Sequence, residues 1–175
     1  MAGSLIKIDE EIVTSAVASV TLGGSDWDSS YDVYMVKYFN LVPDVDFRYA
    51  GMRFTESGTP NSTANYDRAM KSLYADSAFA NGSNTNETQM YASTQYMGTG
   101  TGESLNGVLY IFNANNSSEY TFATTEVSQY TYAPSLRGQQ GGFVFTVASA
   151  VDGINFFTNA DNFASGTFTL YGLAK

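Results

Sequence analysis

Two residue types are missing outright: the 175-residue chain contains no cysteine and no histidine. Without cysteine there are no disulfides, no thiolate metal ligands and no thiol nucleophile, and nothing in the sequence points to a redox compartment. Without histidine there is no side chain that ordinarily titrates near neutrality, no imidazole ligand, and no Ser-His or Cys-His pair. Together these absences exclude most common hydrolytic and metal-dependent designs. Cations are scarce as well, with 8 Lys+Arg against 17 Asp+Glu and a net charge of −9. A surface of that sign repels phosphates, so neither nucleic acid nor an anionic membrane is an expected partner. No apolar run approaches the roughly 20 residues of a membrane helix. The opening "MAGSLIKIDEE" has no basic segment leading into an apolar one, so synthesis in a cytoplasm is expected.

Aromatics are plentiful, with 13 Tyr and 12 Phe against a single Trp. Tyr and Phe favour strands, and Tyr brings large contact area and one hydroxyl to interfaces. The dominant period is two. "YDVYMVKYF" sets Val33, Met35 and Phe39 on one face and Tyr34, Val36 and Tyr38 on the other. Both faces are apolar, as in a strand covered on both sides. Segments 16–22, 47–54, 88–96, 107–114, 119–127, 142–148, 153–158 and the closing 164–175 alternate similarly. Stretches rich in Gly, Asn and Ser between them read as turns, among them 80–86 and 137–142. This pattern predicts one all-β domain over 1–175, an antiparallel, jelly-roll-like β-sandwich of eight to ten strands.

Two segments depart from the pattern. In "NYDRAMKSLYAD", Tyr66, Met70 and Leu73 fall at i, i+4 and i+7, which predicts one short helical insertion near 65–75, with a strand as the alternative. Residues 1–14 expose Leu5, Ile6 and Ile8 before an acidic triplet and read as an N-terminal arm or edge strand.

Chemistry-bearing motifs are weak. Asp26 and Asp28 flank Trp27, and Asp44 and Asp46 form a second Asp-x-Asp. Either pair suits Ca²⁺ oxygen ligation, but neither has the spacing of a calcium loop, and Asp is an ordinary turn former. Lys71-Ser72 lacks the surroundings of a Ser-Lys pair, and "GTGTGE" (98–103) lacks the ending of a phosphate loop. No catalytic residue, metal ligand or cofactor is assigned. The cluster "SQYTYAPSLRGQQGG" (128–142) holds Tyr130, Tyr132, Leu136 and Arg137, residue types favoured at interface centres and, for Tyr, under stacked sugars. Together with Trp27 these four are the candidate contacts for a partner or glycan, while Leu5, Ile6 and Ile8 are candidate arm contacts.

The closing stretch "ASGTFTLYGLAK" (164–175) resembles the ending of a family of small phage proteins common in marine viruses. Segments 30–46, 52–69, 98–113 and 151–173 resemble that family's pattern in the same order. The resemblance implies an all-β virion structural module, associated with capsid decoration or with tail and fibre parts, and it implies no catalytic residues. The expected function is therefore a non-enzymatic capsid decoration or cement protein that is made in the host cytoplasm and resides in the virion. Its expected partners are the major capsid protein, other virion proteins and copies of itself, with a trimer as the first expectation. The alternative is a receptor- or glycan-binding module of a tail or head fibre, with a host surface glycan as ligand. A carboxylate-based depolymerase is a third reading, supported only by the number of acidic residues.

Overall fold

The computed structural model describes residues 4–174. Their order is β1 (Leu5–Val13), β2 (Ser19–Gly23), a 3-10 turn (Gly24–Asp26), β3 (Tyr31–Pro43), β4 (Ala50–Glu56) and β5 (Thr59–Pro60). Then follow β6 (Tyr66–Tyr74), β7 (Ala80–Glu87), β8 (Met90–Tyr91), β9 (Leu105–Phe112) and β10 (Thr121–Tyr130). The chain closes with β11 (Leu136–Phe145), β12 (Gly153–Thr158) and β13 (Phe163–Ala174). They form an antiparallel eight-stranded sheet ordered β1-β13-β3-β9-β10-β11-β6-β7 and a five-stranded sheet ordered β2-β12-β4-β5, with β8 paired to β4.

The alternating pattern builds one core between the sheets. From the large sheet come Tyr34, Val36, Tyr38, Leu109, Ile111, Phe145, Phe168 and Leu170. They meet Val20, Leu22, Met52, Phe54, Ile154 and Phe156 of the small sheet. Aromatic rings carry the contact across the gap. Phe156 lies 5.5 Å from Tyr38 and 5.0 Å from Phe168, and Phe54 lies 6.0 Å from Phe145.

Several sequence expectations change. No α-helix occurs among the described residues, and the segment expected to be helical is strand β6. Tyr66 and Met70 point into the core, and Leu73 points out on the opposite face. A spacing of four suits both a helix and a strand, and pairing with β11 and β7 on its two sides decides for the strand. The polar run 80–86 and the glycine-rich run 137–142 are also strands rather than turns. β7 can be polar because it is the sheet edge, where no second layer covers it. Of the expected strand 88–96, only Met90–Tyr91 is strand. Among the described residues there are thirteen strands, β5 and β8 being only two residues long.

The closing strand β13 is an interior strand, paired with β1 on one side and β3 on the other. β2 belongs to the other sheet, and Val17, just before it, pairs with Phe163 at the start of β13 through an isolated bridge. β1 occupies the edge of the large sheet, with an irregularity in register between Lys7 and Asp9. Residues 1–3 of the expected arm and Lys175 lie outside the described residues.

Candidate binding surfaces

The predicted contact residues do not form one site. Trp27 is 5% exposed and stacks on Tyr34, with ring centroids 4.1 Å apart and planes 10° from parallel. The Tyr34 hydroxyl donates to the Asp28 carbonyl, and the Asn115 amide donates to that carbonyl at 2.7 Å and to the Tyr34 oxygen at 3.0 Å. Trp27 is therefore a core residue that cannot stack on a sugar, a correction to its place among the candidate contacts. Its flanking aspartates gave the appearance of a solvated loop. Arg137 also turns inward: it pairs with Asp76 and lies over the Tyr74 ring at 4.5 Å. Tyr130 and Leu136 are cross-strand partners on the outer face of the large sheet, and both are exposed. Leu5 and Ile6 are exposed on edge strand β1, and Ile8 is half-buried against the core.

Tyr132 belongs to an aromatic group at one end of the molecule. Phe47 stacks on Tyr96 with centroids 3.8 Å apart and planes 17° from parallel. Tyr132 meets Phe47 edge-on at 4.9 Å, and Tyr49 continues the group, 5.9 Å from Tyr96 and 5.2 Å from Tyr91. Phe47 adopts φ 69°, a left-handed conformation that bulky residues rarely take. Hydrogen bonds on both sides hold it there, from the Phe47 amide to the Met97 carbonyl and from the Met97 amide to the Arg48 carbonyl. Arg48 is anchored in turn by Asp161, with Nε donating at 2.7 Å. Phe47 and Tyr132 remain 45% and 40% exposed. This is strain held by its surroundings, the kind that clusters at functional sites. Sequence reading missed Phe47 and Tyr96 because nothing local marks two aromatics so far apart in the chain as neighbours.

A second exposed surface is the outer face of the large sheet. Register places Leu5, Leu173, Val33, Phe112, Phe122 and Val144 side by side across six strands. The adjacent row holds Tyr171, Met35, Tyr110, Thr124, Gly142 and Ala69. Above Gly142 and Ala69 the face sinks into an open depression of about 620 Å³, walled by Phe122, Val144, Asp67 and Thr85.

The remaining polar motifs serve turns. Asp44 accepts from the Asn162 amide and side chain, and Asp46 accepts from the Thr99 amide and hydroxyl. Asp28 accepts from the Ser30 amide, and the first bonds on Asp28 and Asp44 hold both carboxyls below the usual carboxylate range. Lys71 and Ser72 point to opposite faces of β6, so they cannot act as a pair. Glu103 folds back onto the Gly100 amide within the 98–103 turn. Among the described residues, no three or more His, Cys, Asp or Glu come close enough to hold a metal ion, and no helix is long and apolar enough to cross a membrane. The side chains available at both surfaces suit contact with aromatic, aliphatic or sugar-ring surfaces.

No protein-family model and no curated protein matches the chain. Among solved structures, one similarity is to the crystal structure of xylan beta-1,4-xylosidase from Bacillus halodurans C-125, with a TM-score of 0.32 and 6% identity. It covers 93% of this chain and 34% of that one, so the chain spans about a third of that protein's length. A likeness that weak carries no argument about fold or function.

Proposed function

We propose that this protein is a non-enzymatic structural component of a bacteriophage virion, a decoration or cement protein on the outer capsid shell. The observation that carries this reading is the strand order. Early strands alternate between the sheets, β1 and β3 in one, β2 and β4 in the other, and β12 and β13 return to pair inside each. This β1-β13-β3-β9 and β2-β12-β4-β5 arrangement supports a jelly-roll topology, an architecture used by viral capsid and lectin domains. The phage-like segments 30–46, 98–113 and 151–173 supply β3, β9 and β13, three adjacent strands of the large sheet. Fold analogy alone does not establish function; the exposed aromatic end supplies the contact surface. In this reading Phe47, Tyr96 and Tyr132 seat on the major capsid protein, and bound copies stabilise the shell by mass action.

The test is direct. Mass spectrometry of purified virions should detect the protein at high copy number. The purified chain should bind empty capsids, and Tyr132→Ala should weaken that binding several-fold. Absence from virions together with no capsid binding would end the proposal.

The stacked Phe47–Tyr96 pair also favours a second reading, a glycan-binding module of a tail or head fibre. Sugar rings stack on exposed aromatics, and Asp46, Arg48 and Asp161 supply polar groups beside this pair. On a glycan array, Tyr132→Ala should then abolish binding. Tyr130→Ala, on the outer face of the large sheet, should leave it intact.

A further inference from the structure

We propose that the outer face of the eight-stranded sheet is the contact between two copies of this chain, related by a two-fold axis parallel to the strands between β9 and β10. The first support is the distribution of charge. Outward-pointing residues on this face include Lys7, Lys37 and Lys71 against Glu10, Asp67 and Glu126, so the face is neutral. Among the described residues, four other cations and fourteen acids lie elsewhere, so the rest of the surface is strongly acidic. Copies that repel each other over the rest of their surface can approach through this face without net repulsion.

The second support is size. Eight strands about 4.8 Å apart, with four outward rows about 6.8 Å apart, make a face on the order of 900 Å². A stable interface buries about 800 Å² on each partner. Leu5, Leu173, Phe112, Phe122, Tyr110 and Phe39 are each between 36% and 51% exposed on it. Together they present about 500 Å² of apolar surface, at the upper end of what a monomer normally leaves uncovered.

The third support is self-complementary shape. In the second row the large side chains Tyr171, Met35 and Tyr110 lie on β13, β3 and β9, and the depression over Gly142 and Ala69 lies on the β11 and β6 half. The two-fold reverses strand order, laying β13 over β6, β3 over β11 and β9 over β10. In the second row it sets Tyr171 over Ala69, Met35 over Gly142 and Tyr110 over Thr124. In the charged row Lys37 stands over Gln140 beside Glu126, and Lys71 stands over Thr169 beside Glu10. No charge stands over its own sign. Gly142 has no internal reason to be glycine: a Cβ there would meet only the Ala123 carbonyl, at an ordinary 3.5 Å. A glycine inside a strand weakens it and marks a place where another backbone or ligand approaches closely.

The pairing does not rest on the virion reading and can fail without it. Sedimentation velocity of the purified chain should give a dimer, and added salt should strengthen it by screening the like-charged remainder of each copy. Gly142→Trp fills the depression and should halve the mass to that of a monomer while far-UV circular dichroism stays unchanged. Should that variant fail to fold, Tyr110→Lys at the centre of the face should produce the same monomer. A wild-type monomer throughout the micromolar range, a trimer, or a dimer that resists a folded face variant would overturn the proposal.

Discussion

Tyr38 occupies the space that Gly107 leaves empty. A Cβ on Gly107 would lie 2.5 Å from the Tyr38 ring carbon and hydroxyl oxygen. The hydroxyl is fixed there by donating to the Ala92 carbonyl at 3.2 Å, with Thr125 Oγ1 at 3.3 Å. Burial raises its pKa beyond the ordinary tyrosine value. Gly107→Ala should therefore cost about 1–3 kcal/mol by overpacking. Gly142→Ala, with room around it, should cost far less or stabilise. Urea unfolding of the two variants separates these outcomes, and equal costs would refute the packing account.

Phe168 packs between Phe156 and Phe163, at 5.0 and 5.5 Å, on the strand that joins β1 to β3. Phe168→Ala should cost about 3–5 kcal/mol, as expected for a buried ring. Deleting residues 167–175 should leave no cooperative unfolding transition. A soluble product with a sharp melt would show that β13 is dispensable.

Asp76 accepts hydrogen bonds from Arg137 and from Ser135, and chiefly the Arg137 bond pulls its pKa down to about 2. A carboxylate depressed from its ordinary value near 3.9 stabilises the fold above that value. That stabilisation is lost as pH falls through the folded value. The melting temperature should decline between about pH 4 and pH 2. Asp76→Asn should show a shallower decline, the remainder coming from Asp28 and Asp44, which are depressed by bonds from Ser30 and Asn162. An identical acid profile for Asp76→Asn would remove the ion pair from the account.

Phe47 holds φ 69°, a conformation that costs an L-residue about 1–2 kcal/mol and glycine very little. Phe47→Gly should therefore be more stable than Phe47→Ala by about 1 kcal/mol. Both should lose whatever binding the aromatic end supports. An alanine variant that melts higher than the glycine variant would show that the backbone there is relaxed.

The two-layer, all-β architecture was legible because β3, β9 and β13 carry apolar residues at every second position that are buried, as at Tyr34, Val36 and Tyr38, Leu109 and Ile111, and Phe168 and Leu170. The misreading at Tyr66–Leu73 came from a spacing that two geometries share. The misreading at Trp27 came from neighbours that are polar in sequence but capped in space. Both candidate surfaces depend on register. Lys7, Lys37 and Lys71 are far apart along the chain, and only strand pairing brings them onto one face. Likewise Phe47, Tyr96 and Tyr132 meet because the Arg48–Met97 bridge ties two loops together.

The insertion of β13 between β1 and β3 also sets an order of events during synthesis. Strands that begin at Leu5 and Tyr31 leave the ribosome long before the strand that begins at Phe163. Until it arrives, β1 has no partner and one edge of β3 stays open. The early-made segments must therefore stay unpaired and soluble while they wait, and the acidic residues of β1, Asp9, Glu10 and Glu11, suit that interval by discouraging association between nascent chains.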